Sequence, residues 1–331
     1  MYYNLTMKKK EFGRKESSLV LLLAFLFAQI ALTVWRFVLS FVLSLFKYRN
    51  VDNFFNKPYG YCIFSIMQLA VFVGIFIYFY KSTNLKAHIS NTKINIKWLL
   101  VFILFGIVTM FGLSYFINHF SLVLNLLGKP SSTLPYDLNN WNSYIFSIIS
   151  LAIFPAVGEE LLFRGTILNG LKSKGKLYAI IMSSLMFSIF HFNLSQLFYP
   201  ILFGMILGIT YMLTNNLIVP ICIHFVNNAL NLSLQFALRN NQVSGISPLY
   251  LAIIGAIIYL GILIYLVYLL YKKEKQEILS ATSQEIAQNH TTIDETDKSK
   301  ETSFFQSEKF KFYCPLIFML ILYIILTSLG A

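Results

Sequence analysis

Two adjacent carboxylates, with an arginine four positions beyond the second, stand in the apolar stretch Phe154-Pro155-Ala156-Val157-Gly158-Glu159-Glu160-Leu161-Leu162-Phe163-Arg164-Gly165. Between Asp137 and Glu274 these glutamates are the only acids, out of 14 in the chain. A charged side chain at a bilayer centre costs about 2.5–3.5 kcal/mol on insertion scales, so intramembrane ionisable groups are functional candidates by default. Positions four apart on a helix share a face, so Glu160 can meet Arg164, while Glu159 points about 100° away around the cylinder. The acids therefore divide: Glu160 reads as the ion-paired structural member and Glu159 as a candidate general base. The competing reading is a helix end that has left the membrane, with Glu160 and Arg164 a solvated surface pair.

Histidines and a carboxamide extend this chemistry. His191 closes the apolar run Phe187-Ser188-Ile189-Phe190-His191, and His224 shares a helical face with Asn228 inside another apolar segment. A lone histidine in a membrane helix is usually a helix–helix hydrogen-bond partner. Three polar clusters on three nearby helices, each surrounded by apolar residues, point instead to a shared site. A carboxylate, two imidazoles and a carboxamide can activate water and stabilise an oxyanion. Glu159, His191 and His224 could also form a His2Glu ligand set for zinc. Against that, the chain has no His-Glu-x-x-His segment, and the paired glutamates have no clear place in such a site.

These residues need long apolar helices to position them. The chain has 331 residues, 57% hydrophobic and 12% charged, where soluble domains carry about 25% charged residues. That composition implies an all-α, polytopic helical membrane bundle. About nine spans are expected, at 19–46, 61–80, 98–117, 144–168, 177–192, 197–213, 217–236, 249–271 and 312–327. The organisation expected is a tail and three spans over 1–140, a catalytic membrane core with one following helix over 141–271, a disordered cytoplasmic linker over 272–311 and a last span over 312–331. Gly204-Met205-Ile206-Leu207-Gly208 is a small-xxx-small pattern that suits close helix packing. Cys62, Cys222 and Cys314 have no paired spacing and suggest neither disulfides nor a zinc knuckle.

The net charge of +12 comes from 26 Lys and Arg scattered between apolar runs, without the aromatic-interleaved basic face of a nucleic-acid module. The distribution speaks to topology instead, because short cytoplasmic loops are enriched in Lys and Arg. With the N-terminus inside, 20 cations fall in inner segments, 5 in outer loops, and Arg36 lies within the first span. The expectation is a multi-pass protein of the cell membrane with a cytoplasmic N-terminus.

Glu159-Glu160-x-x-x-Arg164, Phe187-x-x-x-His191 and His224-x-x-x-Asn228, in this order on successive helices, resemble the three motifs of the CPBP intramembrane proteases. That family includes type II CAAX prenyl proteases and bacterial Abi bacteriocin self-immunity proteins. The resemblance covers about 144–236. It implies a glutamate-dependent endopeptidase with no required metal or other cofactor, acting on a membrane-associated peptide or protein. Glu159 and His191 would then hold and deprotonate a water, His224 and Asn228 would stabilise the oxyanion, and Glu160 and Arg164 would orient the site. A non-catalytic immunity or scaffold protein that binds a peptide in the same cavity is the alternative. A proton-relaying transporter is a third reading, weakened by the lack of evident inverted repeats.

Overall fold

A residue rises about 1.5 Å in an α-helix, so roughly 20 apolar residues cross a hydrocarbon layer with every backbone group bonded internally. The computed structural model describes residues 10–46, 54, 57–85, 94–126, 137–238 and 248–288. These form α1 (Arg14–Leu45), α2 (Pro58–Ser82), α3 (Ile96–Leu126), α4 (Trp141–Lys174), α5 (Lys176–Ile189), α6 (Phe198–Thr214), α7 (Ile218–Leu238) and α8 (Pro248–Gln288). Seven are long and apolar enough to cross a membrane, and α5, at 14 residues, is apolar but short. The chain is an all-α, multi-pass membrane protein whose lipid-facing surface carries large apolar side chains such as Phe37, 76% exposed, and Ile264, 68% exposed.

One expectation changes. Residues 272–288, expected to begin a disordered linker, instead continue α8 to Gln288. Lys176–Glu277 pairing at 2.5 Å ties this extension back to the start of α5. The rest of the linker and the ninth span lie outside the described residues, which hold seven spanning helices and one short one.

The main core is formed by fully buried side chains such as Leu162, Phe163, Ile167, Ile180, Ile206 and Leu207. A smaller cluster of Leu138, Ala152, Leu232 and Phe236 joins the start of α4 to the end of α7. The backbones of α3 and α8 touch at Gly112 and Gly255, where a Cβ on Gly112 would come within 2.7 Å of the Gly255 carbonyl oxygen.

One helix departs from regular geometry. In α4, wide π-helical turns at Ile148–Ile153 and Leu161–Ile167 flank the α-helical segment Phe154–Glu160. Each wide turn inserts residues into the helical register and re-aims the side chains beyond it, a distortion that often accompanies functional sites. Both glutamates sit between them.

Candidate active site

The two glutamates of α4 enter different surroundings. Glu160 is fully buried and its Oε1 accepts from Arg164 Nη1 at 2.8 Å, one helical turn away. Arg164 is also fully buried; its Nη2 donates to the Gly204 carbonyl at 3.0 Å, and its guanidinium lies 4.8 Å from the centre of the Phe187 ring. Gly204 permits this approach, because a Cβ there would stand 3.3 Å from Arg164 Nη2 and 3.1 Å from Ser184 Cβ. The small-residue pattern of α6 thus contributes an acceptor to the site as well as close packing. Glu160 Oε2 and Arg164 Nε have no hydrogen-bond partner among the described residues. A buried ion pair left partly unsatisfied is a poor stabiliser, and its value lies in fixing what it touches.

What it touches is His224. Glu160 Oε1 also accepts from His224 Nδ1 at 2.8 Å. With Nδ1–H committed to the carboxylate, the opposite ring nitrogen is left for the cavity. His224 Nε2 lies 3.9 Å from Glu159 Oε2, and Glu159 keeps 13% of its side chain exposed where Glu160 keeps none. One imidazole therefore bridges the buried acid and the cavity-facing acid.

His191, just beyond α5, is oriented by the last turn of that helix. Its Nδ1 lies 2.8 Å from the Phe187 carbonyl, which can only accept, so Nδ1 carries the proton and Nε2 is presented to the cavity as an acceptor in the neutral ring. Phe187 is a shared wall: its ring meets His191 at 4.9 Å and His224 at 5.9 Å, both edge-on.

Asn228 is fixed by a break in α4. Pro155 has no N–H to offer the Leu151 carbonyl four residues before it, and Asn228 Nδ2 donates to that carbonyl at 3.1 Å. Its Oδ1 accepts from Asn227 Nδ2 at 3.3 Å, and Asn227 Oδ1 accepts from Tyr199 at 2.5 Å. One Nδ2 proton of Asn228 is left for a ligand.

Glu159, His191, His224 and Asn228 all line a single cavity of about 1230 Å³. Glu160 and Arg164 lie behind it. Asn227, Tyr199 and Gln68 also line the cavity, and sequence spacing alone singled out none of them. Asn227 had a readable signal in the Asn227-Asn228 pair, whereas Tyr199 and Gln68 are brought in only by tertiary packing. Among the described residues no group of three or more His, Cys, Asp or Glu side chains is arranged to hold a metal ion.

Fold and site together define a multi-pass helical membrane protein with a carboxylate–imidazole–carboxamide cluster facing a polar cavity. Residues 141–230 match the family described as Rce1-like, type II CAAX prenyl endopeptidase Rce1-like. The matched segment begins with α4, ends within α7 and contains all six site residues, supporting the placement of the chain with the CPBP/CAAX proteases. No curated protein and no solved structure matches the chain.

Proposed function

We propose that the protein is an intramembrane endopeptidase in which Glu159 and His191 hold a water and Glu159 removes its proton during attack on a scissile carbonyl. The resulting oxyanion is met by His224 Nε2–H and the free Nδ2 proton of Asn228, preorganised donors of the kind that lower such barriers most. With Nδ1–H given to Glu160, a donating Nε2–H makes the His224 ring an imidazolium in this mechanism. On collapse of the intermediate, Glu159 returns its proton to the leaving amine. Glu160 and Arg164 touch neither water nor substrate and act by fixing His224. The substrate is a membrane-associated peptide or protein. The observation that carries this reading is the shared cavity: the cavity-facing acid, both imidazoles and the carboxamide line it, while the ion pair that orients them does not.

The test is cleavage of a quenched peptide library by detergent-purified protein, comparing wild type with Glu159→Ala and His191→Ala, each with and without a chelator. Turnover that survives chelation and disappears in both variants supports the glutamate mechanism. Turnover lost on chelation and restored by zinc replaces it with a metalloprotease. An intact, folded protein that cuts nothing favours a peptide-binding immunity or scaffold role.

A further inference from the structure

The two ends of the bundle differ in charge, and the cavity opens at only one of them. At the first end the start of α1, the ends of α2, α4 and α6, the starts of α3 and α5, and the extension of α8 converge. Asn84 N donates to the Lys10 carbonyl at 2.9 Å, Ser17 Oγ to the Ile167 carbonyl at 3.0 Å, and Lys273 Nζ to the Met212 carbonyl at 2.9 Å. Most cations of the described residues gather here: Lys10, Arg14 and Lys15 with the start of α1, Lys81 at the end of α2, Lys97 at the start of α3, Lys172 and Lys174 at the end of α4, Lys176 at the start of α5, and Lys272, Lys273 and Lys275 on α8. At the other end the described residues contribute Lys57 and, about 33 Å along α1 from Arg14, Arg36. Such a bias sets the orientation of a multi-pass protein, with the basic end in the cytoplasm.

The cavity belongs to the other end. The exposed residues of its lining are Asp137 and Asn139, just before α4, Asn231 and Gln235, in the last turns of α7, and Gln29, midway along α1. Its depth is set by the short helix. Starting at the basic end, the 14 residues of α5 rise only about 21 Å, short of the roughly 30 Å hydrocarbon core. The non-helical stretch after α5 therefore lies at membrane depth, where irregular backbone is tolerated only if it is buried in protein or lines a water-filled cavity. His191 and Phe192 of this stretch do line the cavity, as do Ser195 and Gln196 of the 3-10 turn that follows. Gln29 and Leu32 of α1 also line it.

We infer that the catalytic cavity opens to the non-cytoplasmic face of the membrane, so that its substrate is a membrane-anchored peptide segment presented from that side, such as a precursor already exported. The C-terminal tail of a protein lipidated on the cytoplasmic leaflet is thereby excluded. The orientation stands on charge and geometry; the substrate class rests in addition on the proposed proteolytic function.

Two measurements on the full-length protein separate these parts. In a background with Cys62, Cys222 and Cys314 replaced, single cysteines are introduced as Asn139→Cys or Gln235→Cys at the cavity mouth and as Lys174→Cys at the basic end. A membrane-impermeant maleimide applied to intact cells labels the mouth positions, and Lys174→Cys reacts only after permeabilisation. The reverse pattern, labelling at both ends, or no labelling at the mouth overturns the orientation. Quenched peptide is then added to sealed right-side-out vesicles. It is cut without permeabilisation, and Glu159→Gln abolishes the cutting. Cutting that appears only after permeabilisation overturns the substrate class. No cutting under either condition, with labelling as expected, overturns the proteolytic reading and leaves the orientation intact.

Discussion

Adjacent residues of α4 occupy two unlike regions of this protein. On the dry side, Glu160 and Arg164 are fully buried against Gly204 and Phe187, and their charges cancel within one helical turn. On the cavity side, Glu159 keeps part of its surface and shares the space with His191 and Asn228. His224 joins them, bonded through Nδ1 to the buried acid and directed through Nε2 at the other. The contrast teaches that sequence neighbours of the same chemistry can be given separate tasks by about 100° of helical rotation. Substitutions of the buried pair should damage folding and activity together, and those of the cavity-facing Glu159 activity alone.

The largest effect expected is from Arg164→Met, which takes the guanidinium away from the buried Glu160 carboxylate and leaves only the His224 ring bonded to it. Breaking a buried pair from one side costs about 3–5 kcal/mol, so the variant should show a strongly lowered melting temperature in detergent and little monodisperse material. A melting temperature like that of wild type would mean that Glu160 takes up a proton at small cost and that the dry side is no charge cluster. Next is Glu159→Gln, which removes the general base from the cavity while keeping its shape. Turnover should fall about 10²–10⁴-fold with thermal stability unchanged, measured on the same preparation. Asn228→Ala takes away one oxyanion donor, expected to lower kcat about 10²–10³-fold and to affect KM less. Equal losses in kcat and substrate binding would point to a positioning role through the Leu151 carbonyl. The smallest effect is from Tyr199→Phe. Losing its hydrogen bond to Asn227 should cost about 1 kcal/mol, seen as a modest shift in melting temperature with cleavage retained.

The sequence was most legible where local geometry decides. Spacing put Glu160 and Arg164 on one face, and they bond at 2.8 Å; apolar length located most of the described helices to within a few residues, although α3 and α8 run on well past 117 and 271. Other features depend on contacts between distant segments. The bond between Glu160 and His224 joins residues 64 positions apart, and no periodicity foretells it. Phe187 could be read as part of a motif, but its place beneath two imidazoles and a guanidinium emerges only from packing. The π-helical turns of α4 were equally hidden, because apolar sequence reads alike in either helix type; Pro155 was the one local sign that a backbone carbonyl there needs another partner. The polar composition of 272–288 suggested a chain unable to fold alone, yet those residues continue α8 with Lys273 and Glu277 anchored to α6 and α5. Composition measures what a segment can bury by itself, and here a neighbouring helix supplies the support.

The most direct test of the division is one paired measurement: peptide cleavage and thermal melting of Glu159→Gln beside Glu160→Gln, purified identically. Glu159→Gln should melt as wild type does and lose cleavage. Glu160→Gln, which strips Arg164 of its counter-charge and His224 of its anchor, should lose both. If Glu159→Gln cleaves at the wild-type rate, or if Glu160→Gln melts and cleaves as wild type does, the two acids do not hold the separate tasks assigned to them.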